Sequence, residues 1–213
     1  MKANKLFVTG IAVTTLIAFG ILVFFNKPSS ETKSAPVANA DQLLVKPHSP
    51  IKGNPDAKVT IVEFLDPECE ACRSMHPIIK RLLSEYEGQV KLVIRYMPLH
   101  GNSKFAAAAL EEAREQGKFE QALDVLFERQ PEWGSHHQPR PEMIAPILKE
   151  IGITGDLDQA TLIAKHGAKI DMDQADGTQL GVRLTPTFFV NGVQLPEIGY
   201  GPVKQAIDIA LGK

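Results

Sequence analysis

The chain has 213 residues, of which 44% are hydrophobic and 23% charged, and its formal net charge is −2. That balance describes an ordinary soluble globular body behind an N-terminal segment, and no basic stripe with interleaved aromatics offers itself to nucleic acid. With that segment set aside, roughly 155 to 185 residues remain, enough for one domain with a real core and an insertion but short of a second full domain.

Lys2 and Lys5 precede Leu6 to Phe25, twenty residues without a charge, and Lys27-Pro28 closes the run. A run of that length can span a bilayer. It exceeds the apolar region of a usual secretory signal, and the small-residue site Ala38-Asn39-Ala40 lies well beyond its end. Residues 1–27 are therefore expected to be a membrane anchor, with a cleaved signal as the alternative. Either one exports the remainder of the chain, and Lys2 and Lys5 favour a cytoplasmic N-terminus, which puts residues 28 onward on the oxidising, periplasmic side. Residues 28–57 carry neither hydrophobic period and read as a flexible linker ending in the turn-like Gly53-Asn54-Pro55-Asp56.

The domain is expected over 58–213. Lys58 to Leu65 alternates as a strand, with Val59, Ile61 and Leu65 on one face and Thr60, Val62 and Phe64 on the other; Glu63 falls on the first of these apolar faces. Met75, Ile78, Ile79, Leu82, Leu83 and Tyr86 then follow helical spacing toward Gly88, and Lys91 to Met97 is a second strand. Strand, helix, strand implies a right-handed crossover. Residues 102–180 change to helical spacing throughout, with Asp156 and Gln159 suiting the start of a last helix. Thr187 to Val190, Asn191-Gly192 and Val193 to Leu195 make a hairpin, and Pro202 to Leu211 a closing helix. The fold class is α/β, interrupted by an all-helical insertion.

Both cysteines of the chain, Cys69 and Cys72, lie in "FLDPECEAC" at the junction of the first strand and its helix. That position sets the first sulfur over a helix N-terminus, where unpaired N–H groups and the macrodipole favour an anion. Cys69 is thus expected to be the more acidic thiol and Cys72, one turn in, the buried one that resolves a mixed disulfide. A staple closing so short a loop would contribute little, and two cysteines are too few for structural zinc. Copper(I) is a further alternative, because Met75 and His76 follow on the same helix and soft ligands suit it, although Met75 also belongs to the apolar stripe. A non-catalytic interaction domain is the bland reading.

"VTIVEFLDPECEACRSMHP", "VKLVIRYMPLHGNS", the helical block and "LTPTFFVNG" together resemble the DsbA-type thiol-disulfide oxidoreductases of the thioredoxin superfamily, over about residues 58 to 213. The resemblance implies a thioredoxin fold with a helical insertion and no cofactor. It also implies a cis Pro186 facing the cysteines, with Thr185 before it offering backbone hydrogen bonds to a substrate peptide. Glu63, six residues before Cys69, is similar to the buried acid that relays the proton of the second thiol, and desolvation on an apolar face would raise its pKa toward that use. The implied partners are cysteine-containing exported proteins and a membrane redox partner, with the chain itself tied to the membrane through residues 6–25.

Between the cysteines, Glu70-Ala71 replaces the Pro-His pair typical of the strongest oxidants. Asp66, Glu68 and Glu70 add negative charge that disfavours a thiolate, so Cys69 is expected to be less acidic and the pair less oxidising than in a strong oxidase. An oxidase remains the leading direction, because no separate dimerisation domain is visible ahead of residue 58; an isomerase or reductase kept reduced by a membrane partner is the alternative. His100 lies where active-site loops gather and also suits a turn. His136-His137 invites a metal but equally suits a solvent-facing loop, Trp133 reads as packing within the insertion, and Ala106 to Ala109 as close helix packing.

Overall fold

The computed structural model describes residues 40–213, so the expected anchor over 1–27 lies outside the described residues. Among the described residues no helix is long and apolar enough to cross a membrane. A five-stranded sheet runs in the order β1-β3-β2-β4-β5, with β1 Ile51–Gly53, β2 Val59–Leu65, β3 Val90–Tyr96, β4 Thr187–Val190 and β5 Val193–Gln194. β2 pairs parallel with β3 and antiparallel with β4, and β1 and β5 add antiparallel edges.

β2 is central, which is why its sequence is apolar on both faces. Val59, Ile61 and Leu65 sink into the larger core, while Val62 and Phe64 join Val93, Met97, Val182 and Phe189 on the other side. Each such side chain stabilises the fold by about 1.5–3 kcal/mol. The parallel β2–β3 pair needs a crossover, supplied by α2 Glu70–Glu85, whose Cys72, Met75, Ile79, Leu82 and Leu83 are buried. The turn Asn191-Gly192 has φ of 44° and 85°, the left-handed pair a two-residue hairpin requires.

Between β3 and β4 lies the helical block: α3 Ser103–Glu115, α4 Phe119–Glu128, α5 Gln130–Trp133, α6 Ile144–Glu150 and α7 Gln159–Gln179. Ala106 to Ala109 are all fully buried, as close helix packing demands, and Trp133 is buried with its indole N–H donating to the Leu126 carbonyl at 2.9 Å. The N-cap of α7 is Asp158, accepting from the N–H groups of Ala160 and Thr161; Asp156, expected in that role, instead accepts from Thr161 Oγ1. Tyr200–Leu211 forms the closing helix, α8.

The expected linker is structured over its described part. Ala40–Leu44 is helix α1, Leu44, Ser49 and Pro50 are buried, and β1 completes the sheet beside β3. Arg95, fully buried on β3, holds this segment to the insertion. It donates to Asp173 at 2.8 Å, to Asp176 at 2.6 Å and to the Leu43 carbonyl, and His48 reaches Asp173 at 2.8 Å. Asp173 also accepts from the Tyr96 N–H at 3.0 Å. A buried guanidinium is tolerable only when its donors are met in this way.

Candidate active site

Cys69 is the N-cap residue of α2, in extended backbone geometry (φ −77°, ψ 122°), and no side chain caps that helix. The N–H groups of Ala71 and Cys72 turn to the Cys69 sulfur instead. Both cysteines are free thiols. The hydrogen bond from the Cys72 side chain is the largest influence on Cys69; burial opposes it, and the two backbone N–H groups reinforce it, bringing the pKa from 9.0 down to about 5. At pH 7 the thiolate then predominates. When protonated, the same sulfur donates to the Thr185 carbonyl at 3.2 Å, an acceptor that suits only the thiol form.

Cys72 is the opposite case. It is fully buried, and burial, the hydrogen bond to Cys69 and the nearby charges of Glu63 and Cys69 hold its thiol well above the ordinary range. Glu63 sits on β2 among the apolar residues of the core face, 2% exposed, and its Oε1 has no hydrogen-bond partner among the described residues. Burial first, and the Cys69 charge second, raise its pKa from 4.5 to about 8. At neutral pH the site therefore holds one thiolate, one thiol and one protonated carboxyl. The Thr185-Pro186 bond is cis, and β4 begins directly after it, paired with the very stretch of β2 that carries Glu63.

The acids around Cys69 are all engaged by nearby partners. Asp66 is fully buried and accepts four hydrogen bonds: from the Glu68 N–H (2.8 Å), Ser103 Oγ (2.5 Å), the Leu99 N–H (2.7 Å) and His100 Nδ1 (2.7 Å). Glu68, 3% exposed, accepts from the N–H and the Nδ2 of Asn102. Glu70 is half-exposed and pairs with His136 at 2.9 Å. Donors from loops more than thirty residues away hold these carboxylates locally, and Cys69 is the more acidic of the two thiols, as its place at the helix start implies.

A thioredoxin family model matches residues 46–209. The chain belongs to the thioredoxin family. The relatives are of two kinds, proteins of about this length and much longer ones. A thioredoxin-like oxidoreductase from Silicibacter pomeroyi DSS-3 is 30% identical with a TM-score of 0.70, over 82% of this chain and 99% of that one. BdbD from Bacillus subtilis, in its oxidised form, is 25% identical with a TM-score of 0.67, over 78% and 94%. The probable disulfide bond formation protein D of Bacillus cereus is 28% identical along the full length of both chains. Other relatives are far longer. The Na(+)/H(+) antiporter NhaA of Herminiimonas arsenicoxydans is 30% identical over an alignment of 197 residues that covers 87% of this chain but only 30% of that protein.

In this thioredoxin domain, Glu63 comes from β2, Cys69 and Cys72 from the start of α2, and Thr185 and Pro186 from the turn just before β4. Cys69 meets Thr185 directly, and Glu63 lies near enough to Cys72 that its carboxylate, once ionised, raises that thiol further. Of the soft-ligand candidates, Met75 is in the core and His76 is held away by Asp124 at 2.6 Å. Gln130 was not legible beforehand: fully enclosed in the insertion, it donates to the Pro67 carbonyl at 2.8 Å and ties the active-site turn to α5. One other group among the described residues, Glu112, Glu115 and His166, could hold a metal ion, but Lys165 already lies 2.6 and 2.7 Å from its two carboxylates.

Proposed function

We propose that the protein is an extracytoplasmic disulfide oxidase, passing the Cys69–Cys72 disulfide to cysteine-containing exported proteins. The observation that carries this reading is the contrast between the two sulfurs, with Cys69 at about 5 and Cys72 well above the ordinary thiol. A substrate thiolate attacks Cys69, the S–S bond breaks, and Cys72 leaves. A second substrate thiol then attacks the mixed disulfide, and Cys69 departs as a stabilised thiolate, which makes the reduced form the favoured product. Cys72 needs a proton as it leaves and must lose it again when the disulfide is re-formed. Glu63, protonated and buried beside it, supplies and retrieves that proton, while Thr185-Pro186 presents backbone groups to the substrate strand.

The apolar run 6–25 supports tethering at the membrane, within reach of a membrane partner that reoxidises the pair. Thiol alkylation in intact cells tests the direction. An oxidase keeps Cys69 and Cys72 mostly as the disulfide at steady state; a mostly reduced pair would assign the protein to isomerisation or reduction.

A further inference from the structure

Glu70-Ala71 offers no cation between the cysteines, and three acids stand on the turn that carries the nucleophile. Two histidines from elsewhere in the chain meet those acids. His100, in the loop after β3, places Nδ1 2.7 Å from Asp66. Its ring lies 5.2 Å from that of His136, in the loop after α5, and His136 Nε2 lies 2.9 Å from Glu70. Asp66 and Glu70 bracket Cys69, and the Asp66 carbonyl accepts the Cys69 N–H at 3.1 Å. Asp66, His100, His136 and Glu70 thus form an arch with both feet on the nucleophile's own turn.

We infer that His100 is the positioning residue that balances the charge of the Cys69 thiolate, and that His136 completes the device by pairing Glu70. The inference rests on the exchange chemistry proposed for Cys69 and Cys72. The charged and titratable groups facing the arch are Asp66, Glu68, Cys69 and Glu70 from the turn, Arg73 from α2, and His137 beside His136 in the recess that Gln130 and Gly134 also line. Partial burial works against a charged His100, but its hydrogen bond to Asp66 and the charges of Asp66, Cys69 and Glu68 prevail and raise its pKa. The hydrogen bond from His136 is the chief cause that lowers Glu70.

Protons and electrons balance across the exchange. A substrate dithiol gives two electrons and two protons as it becomes a disulfide. The Cys69–Cys72 bond accepts the electrons, Cys72 takes one proton, Cys69 remains a thiolate, and the second proton passes to solvent. A cation at His100 favours the thiolate that remains, so the oxidising strength of the site is coupled to the charge of His100.

The test uses His100→Gln, His136→Gln and His100→Lys in the otherwise intact chain. The readouts are thiolate absorbance of the reduced protein against pH and the equilibrium with glutathione from pH 5.5 to 8. His100→Gln is expected to raise the Cys69 midpoint and to shift the glutathione equilibrium at pH 7 toward the oxidised protein, by about tenfold for each pH unit of that rise. His100→Lys keeps a cation there and is expected to restore the low midpoint. His136→Gln, at an exposed loop, is expected to shift the midpoint the same way by less, and it carries the test if His100→Gln does not fold. Midpoints unchanged in the Gln variants, with exchange intact, overturn this inference alone; absence of exchange in the unaltered chain overturns the functional reading.

Discussion

Glu63 provides the sharpest energetic prediction. Its carboxyl is neutral when folded up to about pH 8 and ionises near 4.5 when unfolded. Between those values the folded state binds one more proton than the unfolded, so the stability supplied by this group is full below pH 4.5 and is lost as pH rises to about 8. The total loss is about 5 kcal/mol, of which about 3 kcal/mol falls between pH 5.5 and 8. Glu63→Gln cannot ionise, and it sacrifices no hydrogen bond at Oε1, which has no partner among the described residues. Denaturant unfolding of the reduced protein and of Glu63→Gln, at half-unit steps across that range, narrows the effect to Glu63 and the two cysteines coupled to it, because the remaining titrating groups cancel in the difference. The variant is expected to gain on the parent by about 3 kcal/mol from pH 5.5 to 8 and then to level off. A difference that stays flat across the range would refute the buried neutral carboxyl, and with it the proton relay.

Three further outcomes are expected. Thiolate absorbance of the reduced protein should titrate with a midpoint of about 5, assigned to Cys69 by its loss in Cys69→Ser, with Cys72 still protonated at pH 8. Arg95→Met leaves Asp173 and Asp176 without their buried partner and should destabilise the fold by about 3–5 kcal/mol in chemical unfolding, with the midpoint of Cys69 unmoved. Gln130→Leu removes the tie to the Pro67 carbonyl; it should slow exchange more than it lowers the melting temperature, read by comparing exchange rates with thermal unfolding.

The strand–helix–strand unit, the hairpin and the helical block were legible because each is long enough to show its hydrophobic period. Residues 40–57 were not: a five-residue helix and a three-residue strand are too short for a period to develop, and they are held by Arg95, whose partners come from α7 and from Leu43. At the site, the two cysteines and Glu63 could be placed from strand alternation and the helix start alone, and the cis bond before Pro186 followed from resemblance. The acids could not. Their signs are written in the turn, but the groups that absorb them, Leu99, His100, Asn102, Ser103 and His136, are brought there only by the tertiary fold. Counting charge along the chain therefore gives the sign of the acids but not the partners that hold them, while the geometry of a helix start is enough to mark Cys69 as the more acidic thiol.

The most direct test of the central claim is disulfide transfer from the oxidised protein to a reduced two-cysteine peptide, followed by mass spectrometry, with Cys72→Ala beside it. The account predicts that the peptide leaves oxidised, that the protein is left with Cys69 as thiolate and Cys72 as thiol, and that Cys72→Ala accumulates a mixed disulfide at Cys69. A peptide that stays reduced, or a mixed disulfide formed at Cys72 in preference to Cys69, would contradict it.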